Sequence, residues 1–149
     1  MKILVVDGQG GKLGRQLVER LIPACPEAEI TAVGTNSTAC EAMLKGGASR
    51  AATGENALIV ACRRADVIVG PVGIVIADAL LGEISPSMAK AVAQSSAVRV
   101  LLPVNKCDNL IVGTGGFTVS ELIDQAVETV KNIGTGCCLL YTSDAADEL

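Results

Sequence analysis

The feature that most constrains this chain is its opening: the unbroken apolar run Lys2-Ile-Leu-Val-Val-Asp7 leads into Gly-Gln-Gly-Gly, after which the apolar periodicity changes. A run apolar at every position, rather than at alternate ones, reads as a strand covered on both faces, which is the habit of parallel sheets. From there Leu13, Leu17, Val18, Leu21 and Ile22 recur at helical spacing, with Pro23 expected to stop the helix. Strand, glycine loop and helix in that order form the first half of a βαβ unit.

The pattern repeats along the chain. A strand is expected over 29–33, then a helix opened by the capping-box spacing of Thr38 and Glu41 and ended at Gly46-Gly47, then a short strand near Ala51. A helix over 55–65 and a buried strand over 66–70 follow, with Gly70-Pro71-Val72-Gly73 as a second glycine turn and an apolar segment reaching Leu81. Ser85 with Pro86 opens a helix to about Ala97, and Val98–Val104 is the next strand. Asn109–Val112 reads as a short edge strand, and Thr118 with Glu121 caps a last helix that Gly134 closes. Alternation of this kind predicts an α/β fold: a single three-layer, doubly wound, Rossmann-like domain with a mostly parallel sheet of five to six strands, in the order 3-2-1-4-5. The core should be aliphatic, since Phe117 and Tyr141 are the only aromatic residues.

Composition excludes several functions. A net charge of −4, with no basic cluster larger than Arg63-Arg64, leaves no footprint for a nucleic-acid backbone. The uncharged stretch Val67–Ala77 is far short of the roughly 18 apolar residues that mark a membrane span. With no signal-peptide core, the cytoplasm is the expected location. The six cysteines form no C-x-x-C pair and histidine is absent, so no metal site is expected and the cysteines read as small buried hydrophobes.

The candidate chemistry lies in the loops. In Asp7-Gly-Gln-Gly-Gly-Lys-Leu-Gly14, the glycines at 8, 11 and 14 stand as G-x-x-G-x-x-G between strand and helix, where bare amides and the helix dipole hold phosphate. The same glycines also serve a tight turn and close helix packing. Asp7, which would stand near a pyrophosphate, is expected to accept hydrogen bonds from the loop amides. Strand two ends in Gly34-Thr35-Asn36, with no acidic ribose reader. The candidate ligand-binding set is Asp7, Gly8, Gln9, Gly10, Gly11, Lys12 and Gly14, with Thr35, Asn36, Gly70, Pro71, Gly73 and Asn105 around the crevice. Asn105-Lys-Cys-Asp108 matches the N-K-x-D that reads guanine in GTPases, but a P-loop is missing: Val6 stands where its first glycine belongs, and Lys12 is followed by Leu13. A general base near neutral pH would have to be a shifted Lys12, Lys106, Asp78, Glu83 or Cys107. No residue is assigned a catalytic role, and whether the chain is an enzyme is left open.

The opening Lys2–Gly11, the segments 32–37 and 52–56, the stretch Asp66-Val-Ile-Val-Gly-Pro-Val-Gly-Ile74 and Leu102-Pro-Val-Asn105 together resemble the bacterial family known as domain of unknown function 3842, over the chain to about Gly136. That resemblance implies no activity, because the family is uncharacterised. From Cys138 the residues Cys-Leu-Leu-Tyr-Thr-Ser-Asp-Ala-Ala-Asp-Glu148 can be encoded by a transposase adapter used in preparing sequencing libraries. The native C-terminus is therefore expected to be replaced there, leaving 1–137 as the domain and 138–149 as a non-native tail. Two functions follow: binding of a small phosphorylated ligand, NAD(P) or another nucleotide, at Gly8–Gly14, or a non-catalytic sensor or homo-oligomeric assembly protein whose glycine loops are purely structural.

Overall fold

A computed structural model describes residues 1–104 and 108–136. Asn105, the N-K-x-D segment through Cys107 and the suspected adapter tail lie outside the described residues. The elements are β1 (Lys2–Asp7), α1 (Lys12–Ala24), β2 (Glu29–Gly34), α2 (Ser37–Lys45), β3 (Arg50–Thr53), α3 (Glu55–Arg64), β4 (Val67–Pro71), a 3-10 turn over Val72–Val75, α4 (Pro86–Gln94), β5 (Val98–Leu102) and α5 (Val119–Thr135). The strands form one parallel sheet in the order β3-β2-β1-β4-β5.

Burial explains the apolar runs. In β1, Ile3 and Val5 face a core built with Leu17, Val18 and Leu21 of α1, Met43 of α2 and Ile123, Val127 and Val130 of α5. Leu4 and Val6 face the other core, with Leu58 and Cys62 of α3 and Met88 and Val92 of α4. Val67 and Val69 of β4 join the first core and Ile68 the second, so the positions 3–6 and 67–69 of the two central strands are all apolar because both faces are covered. The fold is thus α/β, three-layered and Rossmann-like, with α1, α2 and α5 on one face and α3 and α4 on the other. Among the described residues no helix is long and apolar enough to cross a membrane.

Several boundaries differ from expectation. Helix α1 runs past Pro23 to Ala24; proline in the last turn forfeits one hydrogen bond without ending the helix. Helix α2 is capped by Asn36, whose side chain accepts from the Ala39 amide at 2.8 Å, and Thr38 is an exposed first-turn residue. Asparagine is among the strongest N-caps, and it stands where the extended backbone leaving β2 turns into the helix. Helix α4 stops at Gln94 and β5 at Leu102, and Asn109–Val112 is not a strand. Gly70 and Pro71 are the end of β4 rather than a loop. The capping residues expected for the later helices do hold: Ser85 accepts from the Met88 amide and Thr118 from the Glu121 amide.

Candidate functional site

The strand order reverses between β1 and β4, the usual ligand position in open parallel sheets; here Leu80 and Glu83, from the segment after β4, lie against Gly8 at the end of β1. The glycine loop leaves β1 at that point. Asp7 ends the strand almost wholly buried, one carboxylate oxygen accepting from the Gly8 amide at 2.8 Å and the other from the Gly14 amide at 2.7 Å. The loop is thereby clasped at both ends by its own aspartate. Burial raises the Asp7 pKa and the Glu83 charge adds to that, against the lowering effect of the two amide hydrogen bonds.

The glycines differ in what they do. Gly11 caps α1 in the left-handed region at φ +73°, and a Cβ there would lie 2.6 Å from the Ala39 Cα and 2.9 Å from its carbonyl oxygen. That closeness lets α1 and α2 pack backbone to backbone. A Cβ at Gly14 would meet Met43 and Asp7, and one at Gly8 would meet Thr35 and Leu80. Gly10 is the contrast: its Cβ would have nothing within 4 Å, and the residue is exposed. Helix α1 has no side-chain cap; the Gly11 amide bonds the Gly8 carbonyl and the Gly14 amide bonds Asp7. The Lys12 and Leu13 amides, in the first turn, have no intrahelical carbonyl to reach. Lys12 itself is exposed.

Residues from three loops meet above Gly8. The Thr35 amide donates to the Asp7 carbonyl at 3.1 Å, stitching the end of β2 to that of β1. The Asn36 amide group donates to the Gln9 carbonyl at 2.9 Å. Glu83, from the segment between β4 and α4, then joins both loops: its Oε1 accepts from the Gln9 amide at 3.0 Å, the Thr35 hydroxyl at 2.7 Å and the Asn36 side chain at 2.7 Å. Desolvation works to raise the Glu83 pKa, but these three hydrogen bonds prevail and hold the carboxyl below the ordinary glutamate range. Sequence reading named Glu83 only as a conceivable base; its placement on Thr35 and Asn36 spans 48 and 47 residues and has no local signal.

The structure therefore brings Asp7, Gly8–Lys12, Gly14, Thr35 and Asn36 together. Gly70, Pro71 and Gly73 are buried, and a Cβ at Gly70 would lie 2.4 Å from the Val6 carbonyl oxygen, so this stretch is packed strand end and 3-10 turn. Of the other base candidates, Asp78 is exposed on the turn that leads to Glu83. The described cysteines carry free thiols, and burial pushes that of Cys62 up to about 11. A separate groove of about 450 Å³ lies between α3 and the first three strands, lined by Thr31, Val33, Ala57, Val60 and Ala61 with Lys2, Arg50 and Arg64 among its charged residues.

No curated protein matches the chain. Among solved structures, a dodecameric FMN-dependent Ubix-like decarboxylase from Escherichia coli O157:H7 is similar, at 17% identity and a TM-score of 0.45, over 91% of this chain and 94% of that one. The family model described as Domain of unknown function (DUF3842) matches residues 2–135, and the chain belongs to that family.

Proposed function

We propose that the protein binds a nucleotide or dinucleotide at the carboxyl end of β1, beside the sheet's switch point, with its phosphate on the first turn of α1. The observation that carries this reading is the N-terminus of α1 at the sheet's switch point, where Gly11 supplies no capping side chain and Asp7 takes only the Gly14 amide, beside the one loop glycine, Gly10, that has open space above it. The amides of Gly10, Lys12 and Leu13, the helix dipole and the Lys12 ammonium form the phosphate-binding set. Asp7 shapes the loop and does not meet the ligand, because both its oxygens are engaged by Gly8 and Gly14. Thr35, Asn36 and Glu83 wall the site on the β2 side.

Thermal melting of the protein against NAD, NADP, AMP, ATP, GTP, coenzyme A and S-adenosylmethionine tests this. A ligand present at 100 times its Kd adds about 2.7 kcal/mol, a shift of roughly 10 °C for a domain of this size. A rise with one or more nucleotides supports the reading, and no rise with any of them refutes it.

Exposed apolar side chains favour assembly as a second reading. Leu110 and Val112 are 95% and 97% exposed, with Phe117 and Val119 near half, in the connection from β5 and at the first residue of α5. Exposed apolar side chains in one such stretch suit a contact between copies of the chain. Light scattering coupled to size exclusion distinguishes an oligomer from a monomer, and Leu110→Asp with Val112→Asp should shift an oligomer toward monomer.

A further inference from the structure

We propose that the groove beside α3 is a second ligand site, apart from the α1 loop, and that it takes a free straight-chain carboxylate, its alkyl chain along the groove and its anionic end among Lys2, Arg50 and Arg64. The sheet register builds the floor. Parallel partners in register point to one face, and the pairs Lys2↔Glu29, Thr31↔Arg50 and Val33↔Ala52 set these residues on the side of Val33, which joins the second core. Along α3, Ala57, Val60, Ala61 and Arg64 recur at three- and four-residue spacing and form the facing wall. Small side chains at 52, 57 and 61 leave the space between strand and helix open, about 450 Å³, within the roughly 300–1,000 Å³ of small-molecule sites. The groove follows α3 from Asn56 to Arg64, about 12 Å at 1.5 Å per residue, so its shape suits an elongated occupant.

Charge defines the occupant's polar end. Lys2 opens β1, Arg50 opens β3, and Arg64 closes α3, which runs back against the strands, so all three cations gather at the amino edge of the sheet. Glu29 pairs with Arg50, and Asp66 Oδ2 accepts from the Lys2 amide at 2.7 Å. Among the described residues no ion pair reaches the side chain of Lys2 or Arg64. On a chain of net charge −4, the groove is thus apolar along its length and locally positive at one end. An alkyl chain with one terminal carboxylate answers both properties. A second copy of the chain answers them less well, because a two-fold contact centred here would set Lys2, Arg50 and Arg64 against the same cations.

Calorimetric titration of the full chain with octanoate, hexanoate, 1-octanol and octylammonium tests the assignment. In the wild type we expect saturable octanoate binding. Each buried methylene is worth about fourfold, so hexanoate should bind about tenfold more weakly. The neutral 1-octanol should bind about fivefold more weakly than octanoate, the size of an exposed charge pair, and octylammonium more weakly still. Lys2→Gln with Arg64→Gln should bring octanoate down to the level of 1-octanol, and Ala57→Leu, which fills the groove, should abolish binding. The wild-type series varies only the ligand, so it decides the matter even if Ala57→Leu folds poorly. Equal affinity for octanoate and 1-octanol, equal affinity for octanoate and hexanoate, or no saturable binding overturns the assignment. Octanoate binding kept by folded Ala57→Leu also overturns it, as does self-association that this substitution removes, which would give the groove to a second copy. None of these outcomes bears on the nucleotide reading, which rests on the other end of β1.

Discussion

Gly10 and Gly11 are adjacent in sequence and opposite in what the fold asks of them, and replacing each by alanine separates structure from function in this loop. At Gly11 a side chain meets two penalties. The left-handed backbone at φ +73° costs an L-residue about 1–2 kcal/mol. The Cβ also falls 2.6 Å from the Ala39 Cα, a backbone atom unable to step aside, so α1 and α2 must separate; overpacking of this kind costs about 1–3 kcal/mol. Gly11→Ala should therefore lose about 3 kcal/mol, lowering the melting temperature by ~10 °C. At Gly10 neither penalty applies, and Gly10→Ala should stay within about 1 kcal/mol of wild type. Chemical denaturation with a shared m-value, supported by scanning calorimetry, measures both. Equal stability of the two variants would refute the packing argument. Since Gly11 destabilises by itself, a ligand-blocking substitution belongs at Gly10.

Other expectations follow from the same geometry. Leu81 is 96% exposed with φ +57°, so Leu81→Gly relieves left-handed strain at little cost in burial and should raise stability by up to about 1 kcal/mol in urea titration. Asn36→Ala removes the α2 cap and one anchor of Glu83, and should cost about 1–2 kcal/mol. Glu83 has a folded pKa below its unfolded value, so its contribution is full above the unfolded value and disappears as pH falls through the folded one; Glu83→Gln should flatten the acid limb of the stability profile. Asp7 has the opposite sign: its folded pKa is raised, and its charging lowers stability as pH rises from the unfolded toward the folded value. Asp7→Asn removes that slope and, by giving up one amide acceptor, costs about 1–3 kcal/mol at neutral pH.

The fold was legible because its signals are local and repeated. The unbroken runs at Lys2–Asp7 and Val67–Gly70 need both faces covered, and the 3.6-residue rhythm of α1 and α5 supplies the covers. Local signals also misled where two residues competed for one role. Asn36 and Thr38 both qualify as caps, and the backbone leaving β2 selects the first. Gly70-Pro-Val-Gly73 has turn composition, yet β4 continues through Pro71 because a strand end leaves the proline's missing amide without cost. The loop glycines were visible, but not which of them are fixed by contact, since Ala39 and Met43 reach them from another helix. Glu83 was the least legible: no spacing connects it to Thr35, and only the winding of residues 78–82 carries it there.

Amide chemical shifts during a titration with whichever nucleotide raises the melting temperature most test the central claim most directly. With isotopically labelled protein, the account predicts that the largest saturable changes fall on Gly10, Lys12 and Leu13, with smaller ones at Thr35 and Asn36. Changes confined to Thr31, Ala57 and Val60 around the α3 groove, or no saturable change at the α1 N-terminus, would contradict it.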